Sequence, residues 1–126
     1  MNLAEAVSAG QRGDWGKAVQ ILEGLLAVSP DFPGLSEELG RSGDRLKKEI
    51  YESIHPGDVP VVAIGLEALE RLSLSPADGF VVSRMDGRSS VAEILRISPL
   101  AELDALRSIK RLLGAKVIDF PSRLRA

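Results

Sequence analysis

The stretch that decides the first part of the fold is GDWGKAVQILEGLLAVSP, residues 13–30. Asp14 is suited to cap a helix, because its carboxylate can accept the unpaired N–H groups of the first turn. Large and small apolar residues then recur at four-residue intervals, which places them on one helix face. They are Ala18, Leu22 and Leu26. The pattern predicts a helix from about Trp15 to Val28, preceded by a glycine turn and ended by Pro30.

Two further helices are predicted on either side of this one. Leu3 to Gln11 has small and apolar residues on one side and is followed by Gly13. After Pro33-Gly34, an apolar stripe continues for twenty residues along one helix face. It consists of Leu35, Leu39, Leu46, Ile50 and Ile54. Gly40 and Gly43 interrupt the stripe at a cost of about 1 kcal/mol each, and we expect a continuous or slightly kinked helix.

Residues 55–58 are predicted to form a linker, because they contain a proline followed by a glycine, which interrupt regular secondary structure. We therefore divide the chain into residues 1–54, a linker at 55–58, a second module at 59–121 and a loose tail at 122–126. The second module starts with an apolar run at 59–64, which contains Pro60 and so suits an edge strand. A short helix with Leu66, Leu69 and Leu72 follows.

Three helices are predicted next, each with its own start signal. Ser75-Pro76 combines an N-cap with proline at the first helical position, and Ser90 with Glu93 forms a capping box. Ser98-Pro99 is predicted to open the last helix, with Gly114 as its left-handed stop. A strand at 117–120 completes a mainly α fold with one or two short edge strands.

The composition excludes several classes of function. The 126 residues have a net charge of −2, one histidine and no cysteine, which rules out disulfides and thiolate metal sites. His55 has no second histidine near it in the sequence, and no nucleophile–base spacing is present. We therefore expect no catalytic residue, no metal site, no cofactor and no enzymatic activity. No signal peptide or bilayer-length apolar run is seen, which indicates a cytoplasmic protein.

An apolar face is the first candidate for binding a partner. Ile21, Leu25 and Val28 form a second stripe on the helix at 15–28, overlapping the first. Either other helices cover this stripe, or it is an exposed interface. Because a lone hairpin would leave a face uncovered, homodimerisation is also compatible with the sequence.

A charged turn is the second candidate. Arg84, Asp86 and Arg88 surround Gly87 and could contact a partner or a phosphate. The alternative is structural: Asp86 caps the turn, and the arginines pair with Asp78 or Glu93.

DNA binding is the alternative function. Three helices and a strand allow a helix-turn-helix-like arrangement, in which the last helix would offer Arg107, Lys110 and Arg111, followed by Lys116. Against this, Glu102 and Asp104 occupy the first turn of that helix, where base and phosphate contacts would be made. We therefore expect nucleic-acid binding to be unlikely.

The pattern Gly13-Asp14-Trp15, Ala18, Leu22, Leu26 and Pro30 resembles a tetratricopeptide repeat over residues 3–34. The resemblance implies a helical hairpin that binds proteins, with the following helix as its cap. Only one repeat is visible, whereas three or more are usually needed for a peptide-binding groove.

Residues 58–120 resemble small bacterial winged-helix-like modules, similar to the peptide-chaperone domain of pyrroloquinoline quinone biosynthesis. The resemblance rests on the "SRxDG" pattern, LSPADGFVVSRMDGRSSVAEI at residues 74–94. It implies an adaptor or scaffold in bacterial signalling, polarity or motility, with a response regulator or a small GTPase as partner. The sequence thus predicts a protein–protein interaction adaptor that uses apolar helical faces.

Overall fold

The computed structural model describes residues 2–121, which contain seven α-helices and one two-stranded sheet. The predicted mainly α fold with short edge strands is confirmed. Contacts within the chain divide it into two compact units between Glu49 and Ile50. We call the part up to Glu49 unit 1 and the part from Ile50 unit 2.

Unit 1 is a helical hairpin followed by the start of a long helix. It contains α1 (Leu3–Gln11), α2 (Trp15–Val28) and most of α3 (Leu35–Ser53). At the hairpin turn, Gly13 has a φ of 79°, a conformation that costs glycine little. The Asp14 side chain accepts the N–H of Lys17 at 3.2 Å, which confirms the predicted cap of α2.

The core of the hairpin contains small residues from α1 and large ones from α2 and α3. Its buried cluster consists of Ala6, Ile21, Leu22 and Leu35, with Leu3, Leu25, Leu26 and Leu39 packed against it. Alanine on α1 lets the two hairpin helices approach closely, and leucines fill the space between them and α3.

The long helix α3 is continuous through Gly40 and Gly43, as predicted. Its stripe is buried at four of five positions: Leu35, Leu46, Ile50 and Ile54 are at most 3% exposed. Because a continuous stripe buries one face along the whole helix, its packing offsets the helix cost of two glycines.

Unit 2 holds five short elements after α3 and one long one. They are β1 (Val61–Val62), α4 (Leu66–Arg71), α5 (Pro76–Ser83), α6 (Val91–Ile97), α7 (Glu102–Gly114) and β2 (Ile118–Asp119). The two strands are antiparallel, with Val61 opposite Asp119 and Val62 opposite Ile118. The strand after α7 therefore pairs with the one before α4.

The centre of unit 2 is α7, which packs against α5, α6 and β2. Its buried face consists of Ala105, Leu106, Ser108, Ile109 and Leu112. The predicted caps are confirmed for the two helices that pack on it. The Ser75 hydroxyl accepts from Asp78 N–H at the start of α5, and Ser90 and Glu93 form a complete capping box at the start of α6.

Both ends of α7 differ from the sequence prediction. The Ser98 N–H bonds to the Ile94 carbonyl and so ends α6, and α7 begins at Glu102 rather than at Ser98-Pro99. At the other end Gly114 is an ordinary helical residue. The left-handed conformation falls two residues later, on Lys116 with a φ of 63°.

The segment predicted to be a linker is hydrogen-bonded to α6. The carbonyl of Pro56 accepts from Ala92 N–H at 2.9 Å, and the carbonyl of Asp58 accepts from Val91 N–H at 2.8 Å. Residues 55–58 are thus part of unit 2. The predicted loose tail at 122–126 lies outside the described residues.

Candidate functional site

An apolar groove opens at one end of unit 1, where α1 starts, α2 ends and α3 starts. Its volume is about 420 Å3, and it is lined by Asn2, Leu3, Ala4, Leu25, Ser29, Phe32 and Leu35. We call this the hairpin groove. Its floor is the buried Leu35, which also belongs to the core, so the groove is a depression in the packed core surface.

A tight connection between α2 and α3 presents the aromatic side chain of the groove. Phe32 N–H bonds to the Ser29 carbonyl at 3.1 Å, and Leu35 N–H bonds to the Phe32 carbonyl at 3.4 Å. Pro30 and Pro33 flank Phe32 and restrict the backbone further. Phe32 is 52% exposed, so half of a large ring faces solvent from a constrained loop.

The two polar lining residues cap helix ends. The Asn2 side chain accepts the N–H of Glu5 at 2.9 Å and so fixes the start of α1. Ser29 N–H bonds to the Leu25 carbonyl at 2.8 Å at the end of α2. Leu3 directly follows the capping residue Asn2, and Leu25 is the residue whose carbonyl Ser29 caps. The two bonds therefore fix both leucines beside the groove.

The lining determines what the groove can do chemically. Four of its seven side chains are large and apolar, and none of the seven titrates near neutral pH. General acid–base or nucleophilic chemistry requires a titratable or activated group at the reacting atom. The lining instead suits the burial of an apolar side chain, at about 25 cal/mol for each Å2 removed from water.

The structure separates the three residues of the predicted apolar face. Ile21 is 4% exposed and belongs to the core cluster, because α3 begins against it. Leu25 is half-buried and lines the groove. Val28 is 83% exposed and lies outside the groove lining. Only Leu25 of the three is therefore a groove residue.

The predicted charged turn lies in unit 2, and Asp86 organises it. The Asp86 carboxylate accepts the N–H groups of Ser89 at 2.7 Å and Arg88 at 2.8 Å. These backbone hydrogen bonds hold its pKa below the usual value. Arg84 lies over the ring of Phe80, 5.0 Å from the centroid. This matches the structural interpretation for Asp86, whereas the partner of Arg84 is aromatic rather than acidic.

Arg111 is the arginine that pairs with Asp78, at 2.8 Å. The buried hydroxyl of Ser108 also donates to this carboxylate. Burial raises the pKa of Asp78, but the hydrogen bonds from Arg111 and Ser108 lower it, and the net shift is downward. Asp78 therefore joins α5 to α7 as a charged acceptor, which explains a buried serine on the core face of α7.

The predicted nucleic-acid residues are only partly available for phosphate. Arg111 pairs with Asp78, and Arg107 lies 3.9 Å from Asp104. Lys110 and Lys116 are exposed. The chain after α7 pairs with β1, so the described residues form no hairpin wing behind that helix.

Sequence reasoning missed the central residues of the groove. Phe32 was not among the candidates, although an aromatic residue between two prolines in a predicted loop is an available signal. Leu3 and Leu35 looked like ordinary core residues. Among residues 2–121, no group of three or more acidic or histidine side chains is placed to hold a metal ion. No helix in that range is both long and apolar enough to cross a bilayer.

The chain matches no known family model, no curated protein and no solved structure.

Proposed function

We propose that this chain is a non-enzymatic interaction module that binds a protein partner through the hairpin groove. The observation that supports this most directly is the half-exposed ring of Phe32 beside Leu3 and Leu25. A constrained aromatic residue at the edge of an apolar depression is typical of the few residues that dominate binding energy at interfaces.

The resemblance to a tetratricopeptide repeat supports the same function for unit 1. Such hairpins bind proteins through their helical surfaces, and the groove lies at the open end of the hairpin, where α3 begins. The resemblance of residues 58–120 to bacterial winged-helix-like modules adds a context, which is an adaptor in bacterial signalling, polarity or motility. A response regulator or a small GTPase is the partner that this resemblance implies.

The charge distribution on α7 supports protein binding over DNA binding. Asp78 and Asp104 lie beside two of the four cationic side chains that the DNA interpretation needs. Glu102 and Asp104 stand in the first turn of the same helix. A recognition helix that presents carboxylates to the phosphate backbone would repel it.

The test compares two substitutions that each replace an exposed apolar side chain by serine. Phe32→Ser removes the exposed ring of the groove, and Val28→Ser removes an exposed side chain outside it. A photo-crosslinking amino acid at position 32 identifies the partner in the native host, and the purified partner is then titrated against both variants. We expect Phe32→Ser to weaken binding by about tenfold or more, because a buried aromatic anchor is worth at least 1–2 kcal/mol.

Val28→Ser should change the affinity less than about twofold, since a residue outside the groove contributes little. Equal effects of the two variants, or no effect of Phe32→Ser, would show that the groove is not the binding site. Ile21→Asp is not a suitable test, because Ile21 is 4% exposed and a buried carboxylate would unfold the hairpin.

A further inference from the structure

Charge is segregated along the length of unit 1. The segments in the half of unit 1 nearer the groove are residues 2–7 and 21–40, and they contain five carboxylates and no lysine or arginine. The carboxylates are Glu5, Glu23, Asp31, Glu37 and Glu38. Residues 8–20 and 41–49, toward the other end, contain six basic and three acidic residues.

The fold turns this sequence pattern into a spatial one. In the hairpin, α1 starts at the groove, α2 returns to it and α3 leaves from it, so residues 2–7 and 21–40 lie in the half of unit 1 nearer the groove. The opposite end is marked by Arg45, whose guanidinium carbon lies 5.8 Å from the ring centroid of Trp15 at the hairpin turn. Unit 1 is thus acidic around the groove and basic at the turn.

Two exposed carboxylates lie close in sequence to lining residues. Asp31 precedes Phe32 in the loop, and Glu37 is two residues after Leu35 in the first turn of α3. The helix ends reduce this negative charge only slightly. Two N-termini and one C-terminus meet at the groove, and their partial charges sum to about +0.5 elementary charge. Glu38 is paired with Arg41, and the same arginine also attracts Glu37 from one turn further along α3.

A polar depression continues from the groove along α1 and carries basic residues. It shares Asn2 and Ala4 with the groove and ends at Arg12 and Lys17. With a rise of 1.5 Å per residue, Arg12 is about 15 Å along the axis from Asn2. This exceeds the Debye length of about 8 Å at physiological salt. The carboxylates near the groove, offset in part by Arg41, therefore dominate the electrostatic potential there.

We propose that the hairpin groove binds a basic amphipathic segment of the partner, in which one bulky apolar side chain enters the groove and flanking lysines or arginines face Asp31 and Glu37. The inference rests on the proposed function and adds the charge of the occupant. Charge complementarity of this kind steers association and selects among partners more than it adds affinity.

A second copy of this chain fits the groove poorly for the same reason. Two groove ends that approach each other would place Asp31 and Glu37 of one copy against the same acidic residues of the other, and like charges in an interface are costly. The structure thus favours a basic partner segment over homodimerisation through this surface.

The probe is a fluorescein-labelled amphipathic peptide of leucine, alanine and lysine, with a twin in which glutamate replaces every lysine. Fluorescence anisotropy measures the binding of each to the full-length chain at low and at high salt. We expect the lysine peptide to bind about tenfold tighter than the glutamate peptide at low salt, from two exposed ion pairs. The difference should shrink at high salt because of screening.

Two double variants with the same change in net charge locate the effect. Asp31→Asn with Glu37→Gln removes the two carboxylates at the groove, and Asp44→Asn with Glu49→Gln removes two exposed ones at the other end. The groove variant should weaken the lysine peptide roughly four- to twenty-fivefold, at two- to fivefold for each ion pair. The control should change it less than about twofold, and Phe32→Ser should weaken it as well.

Several results would overturn the inference. The carboxylates near the groove do not select the occupant if neither peptide binds, if both bind equally, or if the glutamate peptide binds more tightly. Equal effects of the two double variants would show that only net charge matters. A dimer in sedimentation equilibrium that Phe32→Ser dissociates would identify a second copy as the occupant. The proposed function is judged separately by the Phe32→Ser and Val28→Ser comparison on the natural partner.

Discussion

Replacing Gly10 by alanine should destabilise unit 1, although the same change stabilises most helices. A Cβ atom at Gly10 would lie 2.9 Å from Cζ3 and 3.4 Å from Cη2 of Trp15. Non-bonded carbon atoms prefer separations of about 3.5–4.0 Å. The indole is a rigid ring that is half-buried, with Arg45 above it, so relief requires a shift of the ring or of α1.

The expected magnitude follows from two opposing effects. Overpacking of this kind costs about 1–3 kcal/mol, and the better helix preference of alanine returns at most about 1 kcal/mol. The free energy of unfolding should therefore fall by about 1 kcal/mol. Gly40→Ala is the matched control, because a Cβ there would meet no described atom within 4 Å. That variant should gain about 0.5–1 kcal/mol.

Urea unfolding followed by the fluorescence of Trp15, the one tryptophan of the chain, measures both variants. With a slope of about 2 kcal/mol per M, the midpoint of Gly10→Ala should fall by about 0.5 M and that of Gly40→Ala should rise. In a Trp15→Leu background, followed by circular dichroism, the penalty at Gly10 should disappear. If Gly10→Ala stabilised the chain as much as Gly40→Ala, the close packing of α1 on the ring would be refuted.

Three further predictions concern unit 2. Asp78→Ala should lower the free energy of unfolding by about 1–3 kcal/mol, because the buried hydroxyl of Ser108 loses its acceptor; thermal unfolding checks this, and an unchanged melting temperature would contradict it. Lys116→Gly should raise the free energy of unfolding by about 1 kcal/mol, because Lys116 has a φ of 63°. Gly114→Ala should be tolerated, because Gly114 is an ordinary residue of α7. If urea unfolding showed the opposite order of stability for the two variants, Gly114 would be the left-handed residue. The pKa of Glu93 is lowered by hydrogen bonds of the capping box, so this carboxylate stabilises the fold above pH 4.5 and loses its effect as the pH falls through its lowered pKa. Acid unfolding of Glu93→Gln should consequently show a weaker loss of stability below pH 4.5 than the parent chain, and identical acid profiles would contradict the capping box.

The helices of unit 1 were predictable because their signals are local. For α2, the cap at Asp14 and the stop after Val28 predicted the same bounds that the structure has. The stripe on α3 also predicted its continuity through Gly40 correctly, since burial along one face outweighs the preference of single residues. Capping residues and apolar periodicity were sufficient to predict a helix wherever its hydrogen bonds are made within that helix.

Both ends of α7 were predicted wrongly because each end signal in the sequence is used differently by the backbone hydrogen bonds around it. Ser98-Pro99 fits a helix start, but the N–H of Ser98 completes α6 by bonding to Ile94. The hydroxyl of Ser98 then accepts from Leu100 N–H in the connection. At the other end the chain must reverse so that Val117 N–H meets the Leu112 carbonyl. The position of that reversal places Lys116, rather than a glycine, in the left-handed region.

The hairpin groove could not be predicted, because its residues are distant in sequence and its depth depends on where α3 begins. Leu35 and Ile21 belong to one buried cluster, so a predicted partner residue is part of the core, while the proline-bounded loop brings Phe32 to the rim. The acidic character of the groove is different. The absence of lysine and arginine from residues 2–7 and 21–40 is visible in the sequence. Its importance becomes apparent only with the hairpin topology, which brings the two separate acidic segments to the same end of unit 1. A topology in which α3 started at the turn of the hairpin would have mixed the two charge types, and the groove would then favour no basic occupant.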